Sequence, residues 1–192
     1  DLTQSIEVDE TGTLTTGNPN TVLYLADSMS LANTYNVVSG DERSNIVLTD
    51  GYDFDIPENE ECTNITYTRT FNNTEWQALY VPFEIPVDAD FIAHFDVAYF
   101  NDVHSYDDNK DAIIDRMTME LIEIEEGHTL KANYPYLIRA KETGETIIAV
   151  TDATLYTTEE NSINCTSVFM QFEVTGTYTT MTSEQLQGCY AV

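Results

Sequence analysis

The stretch Phe91-Ile92-Ala93-His94-Phe95-Asp96-Val97-Ala98-Tyr99 places Phe91, Ala93, Phe95, Val97 and Tyr99 at odd positions, with His94 and Asp96 between them. Apolar residues at every second position line one face of an extended chain, so the stretch reads as a half-buried strand. The same period recurs at Val168, Met170, Phe172 and Val174 against Gln171, Glu173 and Thr175, and more roughly at Leu79, Val81, Phe83 and Ile85. Further strand candidates, rich in Thr, Tyr, Val and Ile, are residues 21–26, 45–49, 63–71, 117–125, 135–141 and 145–151. Turn-forming residues separate them at Ser39-Gly40-Asp41, Asp50-Gly51, Glu126-Gly127 and Thr143-Gly144. Gly144 is expected to close a hairpin joining 136–141 to 145–151. Within 117–125 the apolar phase moves from Met117, Met119 and Leu121 to Ile122 and Ile124, which predicts a β-bulge near Leu121. Helical periodicity is nearly absent: only 183–187 reads as a short helix, with Ser183 as N-cap ahead of Glu184.

The fold class that follows is all-β, a β-sandwich of antiparallel strands with at most one short helix near the C-terminus. Residues 1–20 are polar and apolar-poor, and are expected to form an N-terminal arm or edge strand. Residues 21–192 are expected to form a single β-sandwich domain, since no Gly/Ser/Pro linker divides them. The apolar end Tyr190-Ala191-Val192 reads as a strand cut short, which points to truncation of the domain at its C-terminus.

Charge narrows the partners. Among 192 residues, 34 Asp+Glu stand against 7 Lys+Arg, a formal charge of −27. Such a surface repels phosphates and anionic headgroups, so no nucleic acid partner is expected. No apolar run reaches the roughly 18 residues a membrane helix needs, so no direct membrane insertion is expected within this chain. A hydrophobic content of 42% is core material rather than the composition of a disordered tail. An acidic, threonine-rich, lysine-poor chain suits an extracellular or cell-surface location, and a monomer is expected. Cys62, Cys165 and Cys189 are odd in number and widely spaced, with no C-x-x-C pair. They read either as three unpaired, mostly buried thiols or as one bridge and a free thiol. Asn64, Asn72 and Asn164 each open a glycosylation acceptor triplet.

The one constellation with chemistry in it lies in residues 101–126, where nine acids stand against Lys110 and Arg116. Asp107, Asn109, Asp111 and Asp115 fall at positions 1, 3, 5 and 9 of a calcium loop. Ile113 falls at position 7, where the backbone carbonyl is the ligand, and Ile114 follows as an apolar anchor. Alternate residues of a curling loop deliver oxygens to one centre, and a hard cation takes six to eight of them. Two departures stand out: Ala112 where the turn prefers Gly, and Thr118 where a helix-borne loop carries a bidentate Glu. Glu120, Asp102 or water would complete the sphere. The bland alternative is an acidic, solvated loop between strands. If Ca2+ binds, its role is structural, because it offsets the repulsion of clustered carboxylates.

No catalytic residue is assigned. His94, His104 and His128 are the only histidines, and no nucleophile elbow, phosphate-binding loop or H-E-x-x-H occurs. His94, Asp96, His104 and Ser105 can be sketched into a triad, but any chain of this length contains such residues. The sole tryptophan, Trp76, either caps the core or, with Tyr67, Tyr80 and Tyr99, forms a platform for sugar rings.

Several phrases form a recognisable set: Asn18-Pro19-Asn20-Thr21, Val47-Leu48-Thr49-Asp50-Gly51, Tyr67-Thr68-Arg69-Thr70-Phe71 with Trp76-Gln77 and Val81-Pro82-Phe83, then Asn101-Asp102-Val103-His104 and Asn133-Tyr134-Pro135-Tyr136-Leu137-Ile138. Spanning roughly residues 18–138, the set resembles an uncharacterised β-rich module of Bacteroidetes surface or secreted proteins, found next to BspA-like leucine-rich repeats. The resemblance implies an exported, surface-attached protein in adhesion or glycan contact, and carries no functional residue over. Similar proteins often have Gly where this loop has Ala112, and no leucine-rich repeat occurs in these residues. The function expected is therefore a non-catalytic extracellular or cell-surface module that binds an unknown protein or glycan ligand or acts as a spacer. The alternative is a carbohydrate-active protein, either a sugar-binding module or a glycosidase using two carboxylates.

Overall fold

The computed structural model describes residues 7–8, 14–15, 17–25, 35–39, 43–111, 113–158, 161–166, 171–179 and 181–185. In chain order the elements are β1 (Glu7–Val8), β2 (Leu14–Thr15), β3 (Leu23–Leu25), β4 (Val37–Ser39), β5 (Ser44–Thr49), β6 (Glu60–Phe71), β7 (Gln77–Leu79) and β8 (Ile85–Val87). They continue with α1 (Ala89–His94), β9 (Phe95–Tyr106), β10 (Arg116–Glu123), β11 (His128–Leu130), β12 (Tyr136–Ala140), β13 (Gly144–Leu155), β14 (Ser162–Thr166) and β15 (Gln171–Thr175). The fold is all-β with one short helix among the described residues.

The chain forms two compact units, the first carrying β1–β6 and β13 and the second β7–β12, α1, β14 and β15. The first is built on a sheet in the order β13-β6-β5. Here β6 and β13 run antiparallel, with Ile65 opposite Val150 and Tyr67 opposite Ile148, all four buried. The β5–β6 and β3–β4 pairs are parallel, whereas alternation in the sequence had implied antiparallel strands throughout. Alternation reports which face is buried and is blind to strand direction.

Asparagines tie the first unit's loops to its sheet. Buried Asn20 accepts from Thr49 N–H at 2.7 Å and donates to the carbonyls of Thr49 and Tyr52, both at 3.0 Å. Asn18 donates to the Asp53 carbonyl at 2.7 Å. Asn36, at φ 58, bonds the Val47 amide at 2.6 Å and the Val47 carbonyl at 2.9 Å. The Asn18–Thr21 phrase thus does backbone work, since each buried polar group must find a partner.

The second unit is built on a sheet in the order β10-β9-β12-β7, joined by the β11–β8 and β14–β15 pairs. Val97, Ala98, Leu137 and Ile138 are all buried, so the middle of β9 and β12 is covered on both faces. Two expectations are corrected here. The first half of 91–99 is helix, not strand: the Asp88 side chain accepts from Phe91 N–H at 2.8 Å, with Asp90 in the first turn and His94 in the last. Phe91 and Phe95 satisfy both readings, because four residues apart is one face of a helix as well as of a strand, and their ring centroids lie 5.1 Å apart. Gly144 does not close a hairpin onto β12; it starts β13 at φ +135, opposite Phe71 of β6.

The expected bulge near Leu121 is present: Glu120 pairs with Asp102 but Leu121 pairs with Phe100, leaving Asn101 of β9 as the extra residue. At 183–185 the chain makes a turn rather than a helix, and residues 186 and 187 lie outside the described residues. Its cap is Thr182, not Ser183: the Gln185 side chain accepts from Thr182 N–H at 2.8 Å, and Thr182 Oγ1 accepts from Gln185 N–H at 3.4 Å. Cys62 and Cys165 are free and buried, while Cys189 lies outside the described residues. Burial pushes the Cys62 thiol up to about 11, and burial followed by the Asp102 charge raises that of Cys165, so neither is a ready nucleophile.

Candidate metal site on the β9–β10 hairpin

The antiparallel pair β9–β10 closes on Tyr106 and Arg116, and the Asp115 amide donates to the Tyr106 carbonyl at 2.9 Å. Between them the loop turns its alternate side chains onto its own backbone. Asp115 Oδ2 accepts from the amides of Asp108 at 2.8 Å and Asn109 at 3.3 Å. The Asp111 amide donates to Asp107 Oδ1 at 3.1 Å and to Asn109 Oδ1 at 3.0 Å. Asp111 Oδ1 accepts from the Ile113 amide at 2.9 Å, and Lys110 takes the left-handed conformation at φ 64 that lets the chain curl.

All four side chains read as calcium ligands, Asp107, Asn109, Asp111 and Asp115, therefore share one hydrogen-bonded loop. Ile113 exposes its side chain to 65%, as suits a residue whose contribution would be its carbonyl, and Ile114 is half-buried. Ala112 lies outside the described residues. Asp108 has a different job: it accepts from Arg116 Nε at 3.2 Å, while the Arg116 guanidinium sits 3.7 Å from the Tyr106 ring centroid. That contact locks the base of the loop.

A second group on the same hairpin was not assembled from the sequence. Asp102, His104 and Glu120 each place one ligand atom within 4.8 Å of the others. A hairpin closed on 106 and 116 sets 102 opposite 120 by counting back along both strands, so the signal was present in the loop boundaries. The other two histidines bond backbone carbonyls, His94 that of Asp90 at 2.9 Å and His128 that of Glu125 at 3.0 Å. His94 ends α1 and Asp96 lies in β9, so the two do not share a strand face.

The aromatic side chains weighed as a sugar platform are engaged. The Arg139 guanidinium lies 4.7 Å from the Trp76 ring centroid, held there by Asp96, whose Oδ2 accepts from Arg139 Nη2 at 2.7 Å and Nε at 3.1 Å. Lys141 Nζ adds a second cation 3.5 Å from Asp96 Oδ1. Burial pushes the Asp96 carboxyl up, but Arg139 and Lys141 outweigh it and hold it below the usual range. The Tyr80 ring packs against the Gly176 backbone, and its hydroxyl accepts from the Asn161 amide at 3.2 Å. Tyr67 is buried, with its hydroxyl donating to Asp50 Oδ1 at 2.5 Å, and Tyr99 lies half-buried between Ile122 and Tyr136 in the sheet. No protein family, curated protein or solved structure matches the chain.

Proposed function

We propose that the chain is a non-catalytic extracellular or cell-surface β module, serving in binding or adhesion or as a spacer, whose β9–β10 hairpin is ordered by Ca2+. The observation that carries the calcium reading is the set of backbone amides bonded by Asp107, Asn109, Asp111 and Asp115. That network presents alternate oxygen-bearing side chains to a single loop, and the neighbouring acids raise the local concentration of cations. Composition, the acidic surface and the resemblance to exported β-rich modules support the role in binding. The ligand class is protein or glycan. The carbohydrate-active alternative is less favoured, because Arg139 occupies one face of Trp76 and the Gly176 backbone covers the Tyr80 ring.

Calcium at about a hundred times its Kd stabilises a folded protein by about 2.7 kcal/mol, enough to raise the melting temperature by several degrees. Asp111→Ala should abolish that rise; an unchanged melt of the unaltered chain in millimolar calcium would reject the site. A glycan array and a host-matrix binding panel, each run with and without calcium, test the wider reading. Silence on both, together with turnover of a glycan, would replace it with the enzymatic alternative.

A further inference from the structure

We infer that Asp102, His104 and Glu120 form a second cation site on the hairpin, selective for a borderline divalent transition metal of the zinc class and independent of the calcium loop. In the antiparallel register Asp102 faces Glu120 directly, and His104, two residues along β9, lies on the same face opposite Thr118. His104 Nε2 is 3.6 Å from Glu120 Oε2, and Nδ1 is 3.9 Å from Asp102 Oδ2.

Two like charges directly opposite each other across a strand pair destabilise it unless something neutralises them. Among the described residues neither carboxylate has a Lys or Arg within ion-pair distance, and the imidazole is their shared neighbour. A bound cation supplies the missing charge. Both carboxylates are also held from outside the ligand set. The Asn101 side chain, beside Glu120 because of the bulge, donates to Glu120 Oε2 at 3.1 Å, and the Val103 amide donates to Asp102 Oδ1 at 2.7 Å. Such supporting hydrogen bonds orient metal ligands and tune their affinity.

Donor chemistry selects the ion. Calcium and magnesium favour an all-oxygen sphere, whereas one imidazole with two carboxylates suits Zn2+ and its neighbours in the first transition row. Three protein ligands leave a fourth position to water. All three side chains are about half exposed, so the site is open to solvent from its face of the sheet.

The test is calorimetric titration of the full chain with ZnCl2 in a large excess of Mg2+, which suppresses loose binding to the acidic surface. A single Zn2+ per chain is expected, weakened roughly tenfold or more by His104→Ala and by Glu120→Gln and unchanged by Asp111→Ala. The imidazole NMR resonances of His104 should shift on titration while those of His94 and His128 stay in place. Zinc affinity unaltered in His104→Ala, its loss in Asp111→Ala, or no uptake by the unaltered chain would each overturn the site. The variants replace exposed side chains, and unchanged circular dichroism confirms that each is folded.

Discussion

The β6–β13 ladder and the β9–β10 hairpin are both antiparallel pairs containing a 12-residue strand, yet they spend their side chains differently. In β6–β13 the buried face changes on both strands near Thr63 and Asp152, where Asp152 takes φ 48, and the register runs through without a slip. Cys62, Ile65, Tyr67 and Phe71 all stay in the core, and Ile148, Val150 and Leu155 are buried on the partner strand. In β9–β10 only β9 carries an extra residue. That strand keeps Phe100 and Val103 buried, while β10 forms the sheet edge with Met117, Met119 and Ile122 exposed. A matched irregularity on both strands keeps the register, whereas a bulge on one of them re-aims side chains. The first pair buries apolar side chains, and the second presents charged and polar ones to solvent.

The sharpest way to break this contrast is truncation on each ladder. Ile65→Ala, at a fully buried position, should cost about 2–5 kcal/mol in a denaturant titration, whereas Met119→Ala, 51% exposed, should cost under about 0.5 kcal/mol. Equal losses would show that β10 contributes to a core as β6 does. Next in size is Gly176→Ala in the second unit. A Cβ there would come within 2.1 Å of the Tyr80 ring, so a loss of about 1–3 kcal/mol is expected, and Tyr80→Leu in the same chain should recover part of it. A neutral Gly176→Ala would show that the ring is free to move.

The smallest effects are those of pH, and they have opposite signs in the two units. The Asp96 carboxyl is held below its usual range, so its pairing contributes stability above about pH 4 that is lost as pH falls through the lowered value. Asp96→Asn should flatten that acid limb. Burial, helped by the Glu58 charge and opposed by the Tyr24 hydroxyl, raises the Glu60 carboxyl. The folded state therefore loses stability as pH climbs from about 4 through the raised value, and Glu60→Gln should remove that loss and leave the protein more stable at neutral pH. Stability curves of the two variants against pH that run parallel to the unaltered protein would refute both assignments.

Much of this was legible along the chain. The stretches 45–49, 63–71, 117–125, 135–141 and 145–151 became β5, β6, β10, β12 and β13, because period-two burial is a local property of the residues themselves. The phase change at Leu121 announced a bulge, although the inserted residue proved to be Asn101 on the partner strand. The grouping of Asp107, Asn109, Asp111 and Asp115 was legible for the same reason, since all four side chains come from one short loop. Helix α1 was hidden because Phe91 and Phe95 fit either period, and it is the Asp88 cap, whose side chain accepts from Phe91 N–H, that distinguishes the two. The Asp102–His104–Glu120 group needed the pairing of two strands, so reading each strand singly left it apart.

By itself, then, the sequence determined the all-β class, the acidic exterior and the gathering of alternate oxygen-bearing side chains in one loop, because each depends on composition or short-range spacing. Only the tertiary structure decided that β13 pairs with β6 rather than β12, that β5 runs parallel to β6, and that one imidazole meets two carboxylates. Those outcomes turn on which distant faces bury the most apolar surface together, a comparison among partners that no single stretch of chain contains.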